Sequence, residues 1–307
     1  MLFKTITLND LSQVKSIVEK TTFRSCQLSA GGLYSLSEKY GTEVCFADGF
    51  LFVKQRRKGF GVCYFMPVGV GSLSAAFERL RRYHAEAHGG DFVLWGIADD
   101  MVDDFRSVSG DFADAELVPD RDWAEYIHEA KNLLTLSGKR LQPKRNAANQ
   151  FRRSYDGYEY EPISTSNLEE VWNFQQQQLE AERVAEKNAT LLTLLEEENR
   201  SIQLAIAAWK EIGLTGGVIR IDKKIKAFTF GCPINADTFD VMFESAEHSY
   251  NGIFQVLEQE LIGRLSGFTY INREEDLGIP GLRFAKQNLR PDILLMKYSA
   301  RICTPQR

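Results

Sequence analysis

The sequence has no apolar run approaching the roughly 20 residues that a membrane-spanning helix needs, and its start, MLFKTITLND, lacks the charged, apolar and small-residue succession of a secretory signal. Cysteine is scarce. The five present (Cys26, Cys45, Cys63, Cys232 and Cys303) are odd in number and show no Cys-x-x-Cys spacing, which speaks against a disulfide framework or a zinc ribbon. Three sit in apolar, strand-like surroundings and read as reduced core residues. Together these absences point to the cytoplasm. There are four histidines, and only His84 and His88 have helical i,i+4 spacing. No third ligand lies nearby, so they read as surface residues near a helix end and no metal is expected. No Ser-His-Asp order or nucleophile elbow supports a covalent mechanism. The balance of 37 basic against 42 acidic residues, net charge −5, argues against bulk coating of nucleic acid. Disorder and coiled coil are excluded for the whole by 44% hydrophobic and 26% charged residues. A length of 307 residues suggests two domains or one large one.

What is there is an order of elements that occurs twice. A capped helix over 9–20 precedes strands over 43–57 and 60–71, a helix over 72–87 opened by Ser72, and a strand over 91–98. The second half gives helices over 165–180 and 196–213, then strands over 215–222, 224–234 and 238–247. A helix over 250–265 and strands over 267–274 and 292–300 complete it. The two series lie about 170 residues apart and share a pattern with little identity, which a fold duplication explains. Between them, 131–153 carries Lys131, Lys139, Arg140, Lys144, Arg145, Arg152 and Arg153 without one acid. The expected fold is α/β (α+β), in two units of 1–135 and 156–307 joined by a basic connecting segment, 136–155.

Helix, three antiparallel strands, helix and two further strands is the plan of the GNAT acyltransferases, in which two neighbouring strands splay and admit an activated acyl donor. Three stretches carry a closer resemblance: SGKRLQPKRNAANQF (137–151), AEHSYNGIFQVLEQELI (246–262) and YINREEDLGIPGLRFAKQNLRPDILLMKYSA (270–300). In them the chain resembles a bacterial family related to the C-terminal domain of phosphatidylglycerol lysyltransferases, which are similar to tandem GNAT domains and to Fem-type peptidoglycan aminoacyltransferases. The resemblance implies transfer of an acyl or aminoacyl group to an amine or hydroxyl, with aminoacyl-tRNA or acyl-coenzyme A as donor. The alternative is a non-catalytic, degenerate pair that binds RNA or a metabolite. No further cofactor and no integral membrane association is expected.

Candidate site residues follow from that plan. Glu244, Glu247 and His248 end the fourth strand of the second unit, where a carboxylate or imidazole could deprotonate an acceptor. Arg273 could hold a phosphate or carboxylate bidentately, with Asn272, Glu274 and Asp276 beside it in the distinctive tail motif. Glu274 is the further catalytic candidate. Lys139, Arg140, Lys144 and Arg145 match the basic motif and could clamp a tRNA backbone or a pyrophosphate, while Tyr250 could donate to a leaving group. The usual coenzyme A loop is degraded at Glu247-His248-Ser249-Tyr250-Asn251-Gly252. Pro67-Val68-Gly69-Val70-Gly71-Ser72 keeps only a Gly-x-Gly, a weak phosphate signal.

Overall fold

The computed structural model describes residues 1–110 and 116–303. Its strands are β1 (Lys4–Thr5), β2 (Glu43–Ala47), β3 (Phe50–Arg57), β4 (Gly61–Tyr64), β5 (Val68–Gly69), β6 (Phe92–Ala98), β7 (Leu117–Glu129), β8 (Glu159–Pro162), β9 (Thr215–Ile221), β10 (Lys224–Pro233), β11 (Thr238–Ala246), β12 (Tyr270–Glu275) and β13 (Ile293–Ile302). The helices are α1 (Leu11–Val18), α2 (Ala30–Ser35), α3 (Ser37–Tyr40), α4 (Leu73–Ala87), α5 (Val102–Ser109), α6 (Ala130–Thr135), α7 (Gln142–Ser154), α8 (Leu168–Ala185), α9 (Ala189–Ala207), α10 (Trp209–Ile212), α11 (Ile253–Ile262) and α12 (Pro280–Gln287).

All described strands join one sheet in the order β1-β2-β3-β4-β6-β13-β7-β12-β11-β10-β9-β8, with β5 paired to β3. Parallel pairing occurs at β4·β6 and β11·β12, and the other pairs are antiparallel. The order is symmetric about the β13·β7 pair. Each half's fifth strand, β6 or β12, pairs with the last strand contributed by the other half, β13 or β7. This exchange of end strands makes the sheet continuous, so the two halves share a backbone hydrogen-bond ladder as well as an apolar core. The largest buried cluster runs through both, from Leu11 and Val14 to Phe228 and Phe230.

Two expectations are corrected. Residues 43–57 are two strands, because Asp48 (φ 52°) and Gly49 (φ 81°) both adopt the left-handed conformation that a tight hairpin turn requires. His84 is buried at 3% exposure, with Nδ1 3.2 Å from the Tyr64 hydroxyl, so it belongs to the core beneath α4. The basic stretch contains α7, whose Ala148 and Phe151 pack on Ile253, Val256 and Leu257 of α11. Pro143 in its first turn suits a helix start, where a missing N–H costs nothing.

Candidate functional site

The parallel pairing of β11 with β12 lasts only from Thr238–Tyr270 to Asp240–Asn272. Beyond it the strands part, and a bulge on each side fixes the divergence. On β11, Phe243 opposes Phe230 and Val241 opposes Gly231, which leaves Met242 as an extra residue. Phe243 therefore turns into the large core while Glu244 turns toward α11. On β12, Asn272 opposes Ile127 and Glu275 opposes Glu125, again with one residue too many. The surplus is taken up at Glu274, which is left-handed at φ 55°. A side chain bears that conformation at a cost of about 1–2 kcal/mol, and bulges of this kind re-aim side chains beside active sites.

Glu274 and Glu275 face a cavity of about 450 Å³ enclosed by α3, α8, α9, Phe243 and the turn after β12. Its wall is mostly apolar, from Leu36, Leu191, Leu194, Leu195 and Leu282, while Glu182, Glu186, Glu197 and Glu198 add four more carboxylates. Lys39 at its edge is paired to Glu197 at 2.8 Å. Burial and then the neighbouring Asp240 push Glu274 well above the usual carboxylate range, and burial with Glu125 does the same to Asp240. Glu275 is raised for the same first reason, loss of solvent.

Beneath this acidic group lies a buried network that no periodicity announces. Glu125 and Lys297, 0% and 1% exposed, form an ion pair at 2.5 Å. Ser25 Oγ and the Cys26 backbone N–H each donate to Glu125 at 2.9 Å, and Asn272 Nδ2 donates to the same carboxylate. Burial raises the Glu125 carboxyl, but the Lys297 charge together with the hydrogen bonds from Lys297, Asn272 and the Cys26 N–H outweighs it, and the net shift is downward. Lys286 Nζ donates to the carbonyls of Arg273 (2.6 Å) and Glu275, bracing the bulge. Asp240 is fully buried. Ser29 Oγ donates to one of its oxygens at 3.2 Å, and the other has no partner. Cys26 with Glu125 and Glu275, or with Asp240 and Glu274, brings three potential metal-ligand atoms within 4.8 Å of one another.

The residues expected from sequence fall into three groups. Arg273, Glu244, Glu274 and Asn272 converge on the cleft. Arg273 is held by Glu244 and, at 2.8 Å, by Glu258 of α11, and those carboxylates outweigh the burial that would lower its pKa. Burial raises Glu258 to about 7. Asp276 lies beyond the cavity lining and serves a closed network. It accepts from the Tyr126 hydroxyl (2.6 Å), Arg121 (3.0 Å), Arg283 (2.7 and 2.9 Å) and the Gly278 N–H, and its pKa is lowered to about 2 because these bonds exceed its burial cost.

The third group lies on the opposite face, around α7 and α11. Glu247 pairs with Lys226 at 2.8 Å, the exposed His248 ring lies 5.7 Å from Phe254, and Tyr250 packs 5.0 Å from Tyr155. Arg145 donates to the Leu136 and Gly138 carbonyls, Lys144 is half-buried near Glu258, and Lys139 and Arg140 are exposed ahead of α7. A Cβ on Gly252, the residue that caps α11, would lie 2.2 Å from the Ala147 carbonyl oxygen. Helix α7 thus covers the start of α11, the place where a GNAT fold offers backbone N–H groups to a pyrophosphate.

An open mixed sheet with one splayed parallel pair, flanked by helices and opening on an enclosed cavity, is the plan of a GNAT-like acyltransferase. The profile of the family Phosphatidylglycerol lysyltransferase, C-terminal, matches residues 19–301, and the chain belongs to that family. A conserved protein of unknown function from Bacteroides thetaiotaomicron is 35% identical, with a TM-score of 0.89 over 98% of this chain and 99% of that one. The C-terminal domain of a putative lysylphosphatidylglycerol synthetase from Agrobacterium fabrum shares the fold at TM-score 0.63 and 14% identity, over 95% of this chain and 91% of that one. L-PGS from Bacillus licheniformis does so at TM-score 0.63 and 16% identity, over 96% and 92%. A search of curated proteins finds no match. No helix among the described residues is long and apolar enough to cross a membrane.

Proposed function

We propose that this protein transfers an activated acyl or aminoacyl group to an amine or hydroxyl at the β11/β12 cleft, by direct attack and without an acyl-enzyme. The observation that carries this reading is the doubly bulged splay with raised carboxylates at its mouth. Past Asp240 the edge of β11 facing β12 has no strand partner, so its backbone is free to polarise a donor carbonyl there. Glu274, whose carboxyl burial and then Asp240 push well above the usual carboxylate range, is suited to take a proton from an acceptor and return it to a leaving group. Arg273 holds the two parted strands through Glu244 and α11, and Asn272 anchors the last paired position.

The units 1–135 and 156–307 are best read as a duplication in which only the second keeps an open cleft, with 136–155 as the connecting segment. Coverage of the α11 start by α7 disfavours a coenzyme A pyrophosphate at that corner. An aminoacyl-tRNA is then the first donor to test, with Lys139 and Arg140 as exposed cations toward its backbone. The test supplies labelled lysyl-tRNA, and separately acetyl-coenzyme A, together with phosphatidylglycerol vesicles and small amine and alcohol acceptors. Transfer of label to any acceptor, lost in Glu274→Gln, supports the reading. Donor binding without transfer to any of them replaces it with the binding-module alternative.

A further inference from the structure

The cavity is built for a particular shape and charge. On the α3, α8 and α9 face, its volume of about 450 Å³ falls within the roughly 300–1,000 Å³ of ordinary ligand sites. The leucine wall gives room for an aliphatic stem. At the inner end, Glu274 and Glu275 meet the buried Asp240, whose carboxylate lies within 4.8 Å of Glu274 and has one oxygen with no partner. Near the α8–α9 end, Glu182 and Glu198 have no ion-pair partner among the described residues. Counter-charges are few. Lys297 is paired to Glu125 and Lys39 to Glu197, while the Lys286 ammonium, held on backbone carbonyls, is shared among Glu274, Glu275, Asp240 and Glu198, with Arg57 facing Glu275 and His248 facing Glu182 from farther off. Five carboxylates around one shared ammonium leave an excess of negative charge that is costly where solvent is scarce, and a cation entering from the apolar end would relieve it.

The direction of entry separates acceptor from donor. The exposed cations Lys139 and Arg140, which would attract a phosphate-bearing donor, precede α7 on the α11 face. The acidic cavity opens on the other face, where a polyphosphate would be repelled. We propose that this cavity is the acceptor site for an aliphatic primary amine, a single ammonium on an apolar stem, in preference to an alcohol. The inference rests on the transferase reading above and names its acceptor. In the reaction the amine nitrogen attacks the donor carbonyl, a C–N bond forms, and the C–O or C–S bond to the carrier breaks. One ammonium proton is lost to water, and the second passes through Glu274 to the carrier's departing oxygen or sulfur. The amine's two remaining roles, charge and stem, are met by different walls.

The experiment titrates the full chain with hexylamine and with 1-hexanol by calorimetry at neutral pH, then repeats both with Glu274→Gln and Glu198→Gln. The second variant sits on a helix surface and remains folded if the first does not. Hexylamine is expected to bind at least about tenfold more tightly than hexanol. Each variant should weaken the amine several-fold and leave hexanol unchanged. Equal affinities, or an amine affinity indifferent to both variants, overturn the inference. Mass spectrometry with lysyl-tRNA then shows whether hexylamine becomes the amide. Hexylamine that only competes with lysyl-tRNA and is never acylated would place the donor's own side chain in the cavity and overturn the acceptor assignment. Acylation of hexanol without acylation of hexylamine would sink this inference while leaving the transferase reading intact, and no transfer at all would sink both.

Discussion

At β4 and β6 the parallel pairing is a single position, Tyr64 opposite Leu94, whereas β11 and β12 pair at three before they part. The two clefts have equivalent places in the symmetric sheet, yet their contents are opposite. Beside the first cleft, the Arg57 guanidinium lies 3.3 Å from the centre of the Trp95 ring, 3.8 Å from Tyr40 and 4.8 Å from Trp123, and is 8% exposed. Its Nε donates to Gln55 at 2.9 Å, and Phe65 packs on Trp95. The second cleft has carboxylates, a cavity and a left-handed strand residue. The symmetric strand order gives two equivalent frames. One is filled with aromatic rings around a cation and the other is open and acidic, with Tyr40 shared between the Arg57 cluster and the cavity wall.

The comparison can be broken most forcefully at the seam. Lys297→Met keeps the volume but leaves Glu125 charged and buried, and removing one partner of such a pair costs about 3–5 kcal/mol. Urea denaturation should show this loss, and a change under about 1 kcal/mol would mean the pair is already neutral. In the filled cleft, Arg57→Ala should cost about 3 kcal/mol through lost stacking and packing on three rings, with turnover per folded molecule unchanged. A fall in turnover at constant stability would show that the first cleft also takes part in the reaction.

In the open cleft the pattern reverses. Glu274→Gln should lower turnover about a hundredfold, some 2.7 kcal/mol, as expected for loss of a general base. Its melting temperature should hold or rise, since the change removes one like charge from beside Asp240 and Glu275. A destabilised Glu274→Gln with normal residual turnover would mark Glu274 as a purely structural bulge residue.

How far these features could be read in advance depended on whether burial was apolar. The helices over 11–18 and 73–87 and the strands over 215–246 announce themselves because leucines, valines and phenylalanines recur at the right spacing. The strand Leu117–Glu129 does not announce itself, because its centre buries Glu125 and His128 alongside Ala124, Tyr126 and Ile127, which breaks the alternation. The Asp48-Gly49 hairpin is written as an Asp-Gly pair, a turn signal that the apolar residues on both sides mask. The tail motif points to 272–276 as a block. It could not separate Glu274, which lines the cavity, from Asp276, which is enclosed by three donor side chains. Asp240, Lys286 and Lys297 gave no signal, since one charged residue in a strand or helix looks like solvent exposure until the sheet order is known.

His128 sharpens the comparison through pH, because it sits on β7 between the two clefts. It is 1% exposed with neither ring nitrogen paired, and burial, then Arg273, lowers its pKa to about 3. The folded protein therefore holds His128 neutral, while the unfolded chain takes up a proton below about 6.5. Its stabilising contribution is complete above that value and is lost as pH falls from 6.5 toward 3, by up to about 1.4 kcal/mol per pH unit. His128→Phe should flatten the acid limb of stability against pH by that slope. An unaltered limb would mean that the ring is protonated or solvated in the fold.

The smallest effect belongs to the surface that faces neither cleft. Lys139 and Arg140 are exposed, and no ion pair holds them among the described residues. Replacing both by Ala should change stability by less than about 0.5 kcal/mol, the range of ordinary surface substitutions. If these cations meet the backbone of an RNA donor on the α11 face, each lost phosphate contact should shallow the slope of log affinity against log salt by about 0.7–0.9. Affinity for hexylamine should not move, because the amine enters from the opposite face. A filter-binding salt series with lysyl-tRNA and a calorimetric titration with hexylamine on the same double variant separate the two faces. An unchanged salt slope returns 136–155 to the role of a solvated connection, and a changed amine affinity would show that the two faces are coupled through the sheet.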